Sequence, residues 1–185
     1  MFFVFRVLLL ALVIGFGTSI GLRAGDDAAS AQSGGDASLS GDLLKDWEAL
    51  KGTMMALGEE MPPDKFDFKP TPDVRSYGEQ LMHVAGANLG LMKLLDSQAT
   101  APTLPESPTA KADILKALAD SFDFGTAILK AQTDASLQAT VQGPRFLGPS
   151  TGARIVYRTM IHAWDEYGVM TVYLRLNGLV PPASQ

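Results

Sequence analysis

Residues 154–178, RIVYRTMIHAWDEYGVMTVYLRLNG, read as one long helix, and that reading decides the fold. The helix is expected from about Gly152 to Asn177. Gly178 follows as the closing glycine, and Pro181-Pro182 prevent continuation. Glu166 lies one turn beyond His162, so both side chains leave the same face. Asp165 also lies within a turn of His162 but points about 100° away from Glu166 around the axis. The chain's other histidine, His83, sits in residues 76–95, SYGEQLMHVAGANLGLMKLL. This stretch reads as a helix from Ser76 to about Asp96, opened by Ser76 and Glu79 at capping-box spacing. Gly86, Ala87 and Gly90, on the turns after His83, either leave room beside the imidazole or let another helix approach closely. If the two helices face each other, His83 and His162 meet with a carboxylate, either Glu166 or Asp165. Two imidazoles and one carboxylate suit a divalent transition metal.

Two further helices follow from periodicity. Leu43, Leu44, Trp47, Leu50, Met54 and Leu57 recur at helical spacing from about Gly41 to Met61, with Ser40 as N-cap and Pro62-Pro63 as the stop. Ile114, Leu115, Leu118, Phe122, Ile128 and Leu129 mark a helix from about Thr109 to Thr133. The connections are DKFDFKPTPDVR (64–75), SQATAPTLPESP (97–108) and a looser stretch, 134–150. In the first, Phe66 and Phe68 are expected to pin the loop to the helices. No paired strand is expected. The pattern predicts an all-α protein, a four-helix bundle with long loops, in which ligand or metal sites lie between facing helices.

The N-terminus reads differently. Arg6 precedes an apolar run from Val7 to Leu22, and Ala29-Ser30-Ala31 offers small residues at signal-peptidase spacing. Residues 1–31 are therefore expected to be a signal peptide, 32–39 a flexible linker and 40–185 the bundle domain. The protein is expected to be exported, periplasmic or secreted. The alternative is an uncleaved membrane anchor, although the 16 residues from Val7 to Leu22 fall short of the ~20 needed to span a bilayer.

Composition removes several function classes. The 185 residues carry a net charge of −5 with both signs interspersed, which gives no basic patch for nucleic acid. The absence of cysteine excludes disulfides, thiolate ligands and a cysteine nucleophile. A phosphate-cradling glycine loop and H-E-x-x-H are also absent.

The segments FDFKPTPDVRSYGEQLMHVAGAN (66–88) and HAWDEYGVMTVYLRLNGLVPPAS (162–184) resemble the DinB-like superfamily, also described as the bacillithiol-transferase-like fold. The resemblance spans roughly Asp42 to Ser184. It implies an antiparallel four-helix bundle, often dimeric, with a divalent metal held by one histidine of the second helix and two, spaced H-x-x-x-H, on the last. His83 matches the first position and His162 the second, and Glu166 occupies the third. The resemblance thus favours Glu166 over Asp165, which is expected instead to hold an imidazole or a nearby arginine. Relatives often carry Gly-Gln after the third ligand, where this chain has Gly168-Val169.

The expected metal site is His83, His162 and Glu166, with zinc, nickel, iron or manganese as the divalent cation. The implied activity is metal-dependent hydrolysis or transfer on a small-molecule substrate. The alternative is a non-catalytic bundle that lost the metal and binds a small ligand or protein partner. Arg158 is expected to pair with an acid in the bundle and Arg175 to bond carbonyls at the helix end. Glu79 is explained by capping, and Gln80 is placed to add a ligand or orient a bound water. Tyr157, Tyr167, Tyr173, Trp47 and Trp164 are expected to be packing residues.

Overall fold

The computed structural model describes residues 37–95 and 97–185. The signal-peptide and most of the linker expectations lie outside the described residues, as does Asp96, the expected end of the second helix. Trp47, Leu50, Met54 and Leu57 repeat every three or four residues, and all are fully buried along one face of α1 (Leu39–Glu60). The cap of α1 differs from the expectation. Ser38, not Ser40, is the N-cap and accepts from the Gly41 amide, so the helix begins at the last linker residue. The Ser40 hydroxyl instead donates to Asp134, whose carboxylate also accepts the backbone N–H groups of Leu39 and Ser40. At the other end, the Lys111 ammonium donates to the Glu59 and Met61 carbonyls, supplying partners that the last turn lacks.

The second helix, α2 (Tyr77–Met92), starts with the expected capping box: Glu79 N–H donates to Ser76 Oγ, and Ser76 N–H to the Glu79 carboxylate. The loop before it is pinned as expected. Phe66 is buried edge-on against Tyr77, and Phe68 meets Tyr173 edge-on. Next come α3 (Lys111–Lys130), the short α4 (Asp134–Gln138) and α5 (Gly152–Leu176). Gly178 closes α5 at φ +76°, a conformation that glycine adopts without strain.

The unanticipated elements include α4 and a ribbon in which β1 (Thr140–Gln142) pairs antiparallel with β2 (Pro149–Thr151) in the register Val141↔Ser150. The ribbon turns through Gly148 at φ +63°. It runs straight into α5, where Thr151 caps the helix by accepting from Arg154 N–H.

The four long helices form a ring in which α1 and α2 each neighbour both α3 and α5. Contacts set the directions. Lys111 at the start of α3 reaches the end of α1, and Lys130 at its end pairs with Glu48 near the start of α1, so α1 and α3 are antiparallel. Tyr173 near the end of α5 donates to the Arg75 carbonyl just before α2, so α2 and α5 are antiparallel. Asn88 bonds Ser121 while Gly78 lies against Ile114, which makes α2 and α3 parallel. The connection between them must therefore return along the bundle, the long crossover that some bundles use. No helix among the described residues is long and apolar enough to cross a membrane.

Candidate metal centre

The facing surfaces of α2 and α5 bring the three expected residues together. His83 Nε2 lies 3.0 Å from His162 Nε2. Glu166 Oε1 lies 3.5 Å from the first ring nitrogen and 3.7 Å from the second. Two donors bound to one cation at about 2.0–2.2 Å lie roughly 3–3.5 Å apart at tetrahedral or octahedral angles, so the set nearly matches such a shell. The Glu166 side chain is 11% exposed, against 34% for His83 and 29% for His162. The carboxylate therefore sits inside, and the imidazoles border the open side. Asp165 is exposed and takes no part in the cluster. The choice between neighbouring acids falls to Glu166 because residues one turn apart share a face and adjacent ones do not.

Electrostatics favour a neutral His83 ring. Burial holds the His83 pKa below the usual histidine value. The Arg75 guanidinium and His162 push the same way, and Glu166 opposes them. A neutral imidazole offers the lone pair a metal needs. With both Nε2 atoms turned to a common cation, the ring protons would sit on Nδ1. His162 Nδ1 is buried and has no partner among the described residues. The acceptor that usually orients a ligating histidine is thus missing on this side.

Several expectations about the surroundings change. Gly86 and Gly90 have no neighbour within 4 Å of a Cβ position, so neither serves close helix packing, whereas Gly58, Gly78 and Gly125 do. Trp47 and Tyr173 are core residues, but Tyr157 and Trp164 are 55% and 48% exposed on the outward face of α5. A helix whose apolar residues exceed one stripe leaves the surplus outside. Arg158 is exposed and pairs with no acid among the described residues. Arg175 bonds the Ser184 hydroxyl at 3.4 Å, not a helix-end carbonyl. Gln80 accepts from Arg75 at 3.4 Å.

A groove of about 860 Å³ runs along α2 between the loop before it and residues 104–109. His83 lines it and His162 and Glu166 do not, which makes His83 the link between cluster and groove. Arg75 lines it too. No spacing rule singled Arg75 out, because it reaches this position from a loop that Tyr173 fastens from the far end of the sequence.

Comparison with known proteins bears on the fold. No protein of curated function matches the chain. Solved structures that share the fold include a DinB-like protein from Bacillus subtilis, 18% identical with TM-score 0.60, covering 74% of this chain and 92% of that one, and a DinB-like protein from Bacillus cereus, 18% identical with TM-score 0.60, covering 76% and 93%. The family model of the DinB superfamily matches residues 47–170, two thirds of the sequence, and the chain belongs to that superfamily.

Proposed function

We propose that this is an exported DinB-like protein that holds one divalent cation through His83, His162 and Glu166 and uses it in hydrolysis or group transfer. The observation that carries this reading is the convergence of two imidazole nitrogens and a buried carboxylate oxygen within 4.8 Å of one another. Two histidines with one carboxylate are a ligand set of catalytic zinc and of non-haem iron sites. A bound cation would supply Lewis acidity, polarising a substrate group or lowering the pKa of a bound water. The chain's own part is to keep the His83 ring neutral, to place the Glu166 carboxylate on the inner side, and to leave the groove side open for a small molecule. Export rests on the apolar run to Leu22 and on Ala29-Ser30-Ala31.

A second reading, a non-catalytic bundle that binds a partner, draws on two observations: the orphaned His162 Nδ1 and the exposed apolar stripe on α5. The stripe comprises Tyr157, Trp164, Val169, Val172 and Leu176. A second copy of the chain, giving a homodimer, is one occupant that fits such a stripe.

Elemental analysis of the untagged protein beside His83→Ala tests the first reading. Near-stoichiometric zinc, nickel, iron or manganese, absent from the variant, is the expected outcome. No metal in either, even after incubation with each ion, would leave the binding-bundle reading.

A further inference from the structure

We propose that Arg75 is an anion receptor that fixes a singly charged, largely apolar substrate in the groove, with its carboxylate or similar oxyanion toward His83. The proposal rests on the preceding reading only in taking the His83 end as the reacting end.

Arg75 is exposed and lines the groove together with His83. Its guanidinium donates to the neutral Gln80 amide at 3.4 Å. Gln80 lies three residues before His83 on α2, hence on the adjoining turn of the same face. The charge is therefore held beside the ring, and its field reaches that ring. No carboxylate among the described residues pairs with it. The other cation of the groove, Lys69, is already spent on Glu79 at 3.0 Å. The backbone of Arg75 is anchored, since its carbonyl accepts from Tyr173 Oη at 2.9 Å, so the guanidinium starts from a fixed point. A forked donor that is charged, anchored and short of a carboxylate suits a planar oxyanion.

The rest of the groove sets the remainder of the ligand. Phe66, Met82, Leu104 and Ile114 give it an apolar floor. Asp67, Asp73 and Glu106 also line it, and they would repel a second negative charge. The fit is to one anionic group on an apolar body, rather than to a polyphosphate.

The test uses the full chain, metal-free and zinc-loaded, with 4-phenylbutyrate and its neutral analogue 4-phenylbutan-1-ol. Binding is followed by calorimetry and amide chemical shifts. The acid should bind about tenfold or more tightly than the alcohol in wild type. Arg75→Ala should erase that preference while leaving alcohol binding unchanged, and Arg75→Lys should restore part of it. Equal affinities in wild type, a preference that survives Arg75→Ala, or no binding of either probe would each overturn the proposal. An acid preference that appears only with zinc and survives Arg75→Ala would place the carboxylate on the metal, sinking this proposal and sparing the metal reading. A preference that depends on Arg75 in a chain that never takes up zinc would do the reverse.

Discussion

Between α1 and α3, Trp47 lies fully buried against Phe122 and over Gly125, and its one polar atom donates to the Phe122 carbonyl at 2.9 Å. Between α2 and α5, at a comparable place in the same ring of helices, stand two imidazoles and a carboxylate, with one ring nitrogen buried and unmatched. The first seam completes its hydrogen bonds and fills its volume, which is what stability asks of a core. The second interrupts apolar packing with groups that cost desolvation and return little packing. On the proposed function, the contrast separates residues that serve folding from residues that serve a ligand.

Mutations at the two seams should therefore behave differently. Trp47→Ala removes the largest buried side chain of the first seam and should cost about 3–5 kcal/mol, read as a shifted urea midpoint at unchanged slope. A loss under about 1 kcal/mol would mean that the seam repacks freely, and the contrast would fail. Glu166→Met should act the other way. Removing a buried carboxylate from a metal-free site should leave stability unchanged or raise it by about 1 kcal/mol. A large destabilisation would show that the polar seam is structural after all.

The smallest effect is expected at Asp134, which belongs to neither seam. Its carboxylate accepts the Ser40 and Leu39 amides and the Ser40 hydroxyl, and these bonds hold its pKa below the usual aspartate value. A depressed carboxylate pKa means the unfolded chain binds the proton more readily. The contribution is thus complete above the unfolded value of about 3.9 and is lost as pH falls through the lower folded one. Asp134→Asn should melt slightly below wild type at pH 7, and the gap should close in acid. A gap independent of pH would assign the effect to shape and not to charge.

The same contrast explains which features are legible in the residues. The four long helices were legible because apolar repeats report a buried face, and the Ser76–Glu79 box because its partners are three residues apart. His83, His162 and Glu166 were legible as a set because the i,i+4 pair shares a face and the resemblance supplied the third position. Features settled by distant partners were not. Ser40 has the chemistry of a cap, but Asp134, 94 residues away, takes its hydroxyl and leaves the role to Ser38. The ribbon at 140–151 has strands of three residues each, too short to show alternation. Tyr157 and Trp164 look like core residues in any apolar helix, and only the placement of α5 in the ring exposes them. Arg75 gains its meaning from a loop that Tyr173 holds against the end of α5.

The proposed metal site is decided by calorimetric titration of zinc into the metal-free, untagged protein, with His83→Ala, His162→Ala and Glu166→Met measured beside it. One site per chain is expected in wild type, and in each variant a loss of affinity of at least about a hundredfold, while all three variants stay folded. No saturable binding in wild type, or binding that survives in all three variants, would contradict the proposed site.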